Sequence, residues 1–141
     1  MSVIKNKASL NRFYREVMSK GNLDVIDKLL SKDFVERNPL PGQKPGSAGL
    51  KKAMGEFRAA FPDMHVKVEQ MIGEKNMVAV RVTYGGTHKG EFAGMKPTNK
   101  KFKVMGMDFV RFSTTGKVKE HWSSDDANLS MMQQLGVIPP M

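Results

Sequence analysis

At 141 residues, 40% hydrophobic and 26% charged, the chain has the size and composition of one globular domain, 1–141. It has no cysteine, and its three histidines (His65, His88, His121) form no His-x-x-x-His pair; this excludes disulfides and thiolate chemistry and leaves no metal centre expected. The net charge is +9, yet the basic residues are scattered and the longest cluster is Lys100-Lys101-x-Lys103, so a solvated surface is expected and not a nucleic-acid partner.

Leu10, Phe13, Tyr14, Val17 and Met18 recur at helical spacing and predict an amphipathic helix ending near Gly21. Asn22 can cap a second helix bearing Val25, Ile26, Leu29 and Leu30. Residues 33–37 read as short and extended, and 38–46, rich in Pro and Gly, as a loop. Ser47 is a candidate cap for a third helix with Leu50, Ala53, Met54, Phe57, Ala60 and Phe61 on one face, stopped by Pro62. The period then changes to two. Val66 to Ile72 and Val78 to Tyr84 predict strands joined by a turn at 73–76, and Gly85-Gly86 suggests a bulge or bend. Phe102 to Phe112 is a third strand and Val118 to Ser124 a fourth, before a short helical turn at 128–135.

Helices first and long antiparallel strands afterwards predict an α+β fold: N-terminal helices packed on a strongly curved, mainly antiparallel sheet, with a cone-shaped cavity between them. The twelve methionines suit such a cavity, though Met54, Met71, Met105 and Met107 serve equally well as ordinary core. No apolar run approaches the ~20 residues of a membrane span. The N-terminus does not look like a signal peptide, so no membrane association and a cytoplasmic location are expected.

Residues 84–94 read Tyr-Gly-Gly-Thr-His-Lys-Gly-Glu-Phe-Ala-Gly, followed by Met-Lys-Pro-Thr at 95–98, Lys-Glu-His-Trp at 119–122 and Gln-Gln-Leu-Gly at 133–136. This order resembles the SnoaL-like polyketide cyclases (ester cyclases) of the nuclear transport factor two-like superfamily. The resemblance implies a cone-shaped α+β barrel, dimers paired through the sheet, and no cofactor. It implies acid-base chemistry on a small-molecule substrate, an intramolecular aldol step on an activated ketone or polyketide-like ester. It also places the acid-base Asp four residues after the Trp, at Asp126, and alternation along Glu120, Trp122, Ser124 and Asp126 agrees. A carboxylate beside Trp122 in an apolar cup would be poorly solvated and suited to take a proton from a carbon acid. The adjacent Asp125 is an alternative, and either could instead cap the last helix.

The resemblance puts His88 at the cavity mouth, as a donor to an enolate oxygen or a proton shuttle; without it, His88 reads as a sheet-edge residue. Asp108 shares a strand face with Phe102, Val104, Val110 and Phe112. A carboxylate there must be paired, protonated or functional, so Asp108 is a rival base. Tyr14 and Trp122 are candidate pocket walls. His121 alternates away from Trp122 and reads as structural, and His65 as solvent-facing. The opposite face of the Asp108 strand, with Lys103, Met105, Met107, Phe109 and Arg111, is partly apolar and supports a homodimer. A non-catalytic binding module, and a hydrolase using an Asp-activated water, are the other functions compatible with the cup.

Overall fold

The structure, a computed structural model, describes residues 2–40, 42–124 and 126–139. Helix α1 (Val3–Arg12) runs directly into a π-helical segment (Phe13–Ser19), followed by α2 (Val25–Leu29), β1 (Leu30–Glu36) and α3 (Gly46–Ala60). The remaining strands are β2 (His65–Glu74), β3 (Met77–Thr87), β4 (Lys101–Phe112) and β5 (Val118–Ser123), and α4 (Asp126–Gln134) closes the chain. The fold is α+β, with helices packed on a five-stranded sheet that is curved but not closed.

The strand order is β1-β5-β4-β3-β2. Three neighbouring pairs are antiparallel and only β1 runs parallel to β5. Val78, Val80 and Val82 of β3 and Phe102, Val104, Val110 and Phe112 of β4 are buried on the concave face, as period-two patterning demands. Leu10, Tyr14 and Val17 close over them from the first helix, with Val25, Ile26 and Leu29 from α2. A second apolar cluster joins Phe57 and Ala60 of α3, and Phe61 just after it, to Phe102, Val104 and α4's Met131.

Local chemistry accounts for the element ends. Ser2 caps α1, its Oγ accepting from Lys5 N–H at 3.1 Å. Pro62 cannot continue α3, which stops at Ala60. The caps expected at Asn22 and Ser47 fall instead on Asp24 and Pro45, neither with a side-chain capping bond. The bulge expected at Gly85-Gly86 is also elsewhere. The β3–β4 register runs unbroken from Met77↔Arg111 to Thr87↔Lys101, and the register shifts lie in β1 between Leu30 and Val35, in β2 between Val68 and Gln70, and in β4 between Arg111 and Phe112 where it pairs with β5. Gly85 and Gly86 are there for close approach: a Cβ on Gly85 would lie 2.5 Å from the Phe102 carbonyl oxygen, and one on Gly86 3.2 Å from Phe61 Cβ.

Gly49 is the tightest of these positions. A Cβ there would sit 1.7 Å from the Lys44 carbonyl oxygen, so the loop before α3 lies directly on the helix's first turns. Gly49→Ala is therefore expected to cost about 1–3 kcal/mol through forced backbone displacement. Urea unfolding measures it, and a loss below the error of the fit would show that the loop moves away freely. Among the described residues no helix is long and apolar enough to cross a membrane.

Candidate active site

A cavity of about 160 Å³ opens between the concave face of the sheet and the helices. Its wall is mostly apolar, including Leu10, Phe13, Phe34, Leu50, Met54, Phe57 and Val82. Gly106 of β4 leaves room where a side chain would stand, since a Cβ there would meet the Tyr84 ring at 3.2 Å. Ionisable groups converge on one part of this wall: Tyr14, Glu36, Asp108 and His121.

Sheet register brings them together. Asp108 lies on the inner face of β4, between Gly106 and Val110. His121 pairs with Val110 across the antiparallel β4–β5 ladder, so it shares that inner face. Glu36 pairs with His121 across the parallel β1–β5 ladder and follows it inward. Tyr14 descends from the opposite side on the π-helical segment, a rare conformation that frequently accompanies functional sites.

The result is one chain of hydrogen bonds. Tyr14 Oη donates to Asp108 Oδ2. His121 Nε2 lies 3.0 Å from Asp108 Oδ1, and its Nδ1 lies 2.7 Å and 2.8 Å from the two oxygens of Glu36. The side chains of Glu36 and Asp108 are only 9% and 15% exposed, so both need the partners they have. Burial alone would push the His121 ring toward neutrality. The hydrogen bonds to Asp108 and Glu36 outweigh it and raise the imidazole pKa to about 10, so His121 is an imidazolium at neutral pH. Burial, reinforced by the Asp108 charge, holds the Tyr14 phenol well above its ordinary value, and Tyr84 is raised to about 12 by the same two causes. Tyr14 thus remains a donor throughout the physiological range.

The residues singled out from the sequence divide sharply by place. Tyr14 and Asp108 line the cavity. Trp122 does not: it pairs with Phe109 on the convex face, where Arg111 lies 5.9 Å from its ring. The alternation between His121 and Trp122 holds, but with the faces exchanged, because β5 takes its inward direction from Val110. His121, expected to be structural, therefore stands on the cavity wall. Asp126 is exposed at the start of α4 and is not on that wall, and Asp125 lies outside the described residues. His65 is exposed, as expected.

His88 is fully buried away from the cavity wall, stacked on Phe61 with centroids 5.3 Å apart. Its Nδ1 meets Thr98 Oγ1 at 3.1 Å and accepts from Thr98 N–H at 3.3 Å. The His and the Pro-Thr of the sequence motif therefore tie the two ends of the 89–97 loop together. Gln134 does similar work at the other motif, its carboxamide bonding both the N–H and the C=O of Lys103 and docking α4 on β4. Among the described residues, no group of three or more His, Asp or Glu side chains converges as metal ligands do.

The SnoaL-like polyketide cyclase family profile matches residues 8–135, nearly the whole chain. The chain belongs to the SnoaL-like polyketide cyclase family. Its solved relatives include AclR from Streptomyces galilaeus, described as a candidate hydroxylase, with 30% identity over 99% of this chain and 90% of that one and a TM-score of 0.83. A candidate polyketide cyclase from Acidithiobacillus ferrooxidans is 29% identical over 97% and 99% of the two chains, with a TM-score of 0.80. TsrD from Streptomyces laurentii, at 19% identity over 98% and 99% and a TM-score of 0.86, shares the fold. No curated protein sequence matches the chain at a significant level. Family and fold together support a cyclase- or isomerase-type role for this SnoaL-like protein.

Proposed function

We propose that this SnoaL-like protein is a cofactor-independent cyclase acting on a small polyketide-like ester or activated ketone, with Asp108 as its acid-base group. The observation that carries the reading is a carboxylate on an apolar cavity wall with one oxygen held by Tyr14 and the other by His121. Such a base is fixed in one orientation before substrate arrives. Asp108 takes the proton flanked by two carbonyls, and the C–H electron pair passes into the enolate. The enolate carbon then bonds to a further carbonyl carbon of the same molecule, outside the flanking pair, whose C=O electron pair moves onto its oxygen. The new alkoxide recovers the proton from the Asp108 carboxylic acid, so the product is an isomer of the substrate and no co-reactant is consumed. The His121 imidazolium steadies the negative charge as it moves between these oxygens, and Glu36 holds the ring in place. In this reading Asp126 and His88, which the motifs favour, have no part in proton transfer: His88 secures a loop and Asp126 begins a helix.

The test is proton exchange. Wild-type protein with ethyl 2-methylacetoacetate in D2O should speed deuterium uptake at the acidic carbon well above buffer. Binding of the ester without faster exchange would favour a non-catalytic binding module.

The convex face of the sheet supports a homodimer as well. Ile72, Met105, Met107 and Phe109 are each at least half exposed on it, and cross-strand register sets Phe109 beside Trp122. Exposed apolar side chains grouped on one face are a common mark of a protein–protein contact. Wild-type protein should scatter light as a dimer at micromolar concentration and Phe109→Asp as a monomer. A monomeric wild type would contradict the pairing.

A further inference from the structure

Three carboxamides border the cavity, Asn38, Gln43 and Asn128, and the first two lie on the loop between β1 and α3. In each of these two, the side-chain oxygen is already committed. Asn38 Oδ1 accepts from Ser123 N–H at 2.9 Å, and Gln43 Oε1 accepts from Leu40 N–H at 3.0 Å. A backbone N–H can only donate, so these bonds fix which end of each amide is oxygen, and with it the direction of each NH2 group. With each oxygen turned to the backbone, the NH2 groups are what the amides turn toward a ligand.

Gln43 Nε2 is shielded from solvent and has no hydrogen-bond partner among the described residues. A buried donor left unmet is costly, and a ligand oxygen would supply what the folded chain does not. Asn38 is placed close to the base: Ser123, which anchors it, lies directly across the β4–β5 ladder from Asp108. The loop itself is seated on α3, since Gly49 admits the Lys44 carbonyl oxygen against the helix.

Resting on the reading of this cavity as a substrate site, we propose that the NH2 groups of Asn38 and Gln43 form a donor subsite that binds a neutral carbonyl oxygen of the substrate, an ester or a quinone-like ketone, beside the Asp108–His121 pair. A carboxylate is the poorer fit, because Glu36 and Asp108 already put two anions against one imidazolium on this wall. An ammonium group in the same position would present protons to protons.

The proposal is tested by equilibrium binding of two probes of similar shape, methyl 2-naphthoate and 2-isopropylnaphthalene, which differ in the ester carbonyl. Wild type should prefer the ester about five- to tenfold, the scale of one or two net hydrogen bonds. Gln43→Leu should abolish most of that preference by weakening the ester while the hydrocarbon binds as before. Gln43→Glu, which keeps the size and replaces the donor with an acceptor, should do the same and serves if the Leu variant is unstable. Equal affinity of wild type for the two probes, binding of neither, or an unchanged preference in both variants would overturn it. The readout needs no turnover. A lost ester preference in a protein that shows no proton exchange would support the subsite and count against the cyclase reading alone.

Discussion

Replacing Asp108 with Asn should lower the rate of proton abstraction by about 10²–10⁴-fold, the usual contribution of a positioned general base. Asn keeps the shape of the side chain and can still accept from Tyr14 or His121 through its one oxygen, but it cannot take a proton. The fold should survive, because both neighbours retain a partner. Circular dichroism and thermal melting would register any exception. The loss should appear in kcat and in kcat/KM alike, since the removed interaction belongs to the transition state and not to substrate binding. A variant that keeps kcat and loses only KM would show Asp108 to be a binding group.

The second large effect concerns stability and its pH dependence at His121. In the folded protein the imidazole pKa is raised to about 10 from an ordinary value near 6.5. Between those two values the folded state holds a proton that the unfolded chain releases, so stability must fall as pH rises. The contribution is complete below about pH 6.5 and gone above about pH 10, taking the ordinary imidazole value as the lower bound. His121→Phe removes the cation between two largely buried carboxylates, which should cost about 3–5 kcal/mol near neutral pH. It should also flatten the pH dependence across that window. Urea unfolding from pH 6 to pH 10.5 measures both. A wild-type stability that stays level over this range would mean that the ring is not held as an imidazolium.

Much of the fold was legible because hydrophobic period changes once, from helical before Pro62 to alternating after it. The motifs that carry the family resemblance were equally legible, and the structure explains what most of them do. His88 with Thr98 closes a loop, and Gln134 docks a helix on a strand. In this chain these are contacts that organise the backbone.

The ionisable site was less visible for a physical reason. Alternation shows which residues share a face of β5 but not which face is inward. That choice comes from pairing with β4, where His121 meets Val110 and Trp122 meets Phe109. Glu36 gave no signal, because it is brought in by a parallel pairing of β1 with β5 across more than eighty residues of chain. One clue was present: Asp108, a carboxylate on a strand face otherwise built of Phe and Val. Following that polar exception to the strand that must pair beside it would have led to His121.

The most direct measurement compares two variants in one deuterium-exchange experiment, with wild type as reference and ethyl 2-methylacetoacetate as the carbon acid. The site built on the cavity wall predicts that Asp108→Asn loses the enzyme-dependent exchange while Asp126→Asn, altered on an exposed helix end, exchanges like wild type. Retained exchange in Asp108→Asn together with its loss in Asp126→Asn would contradict the account.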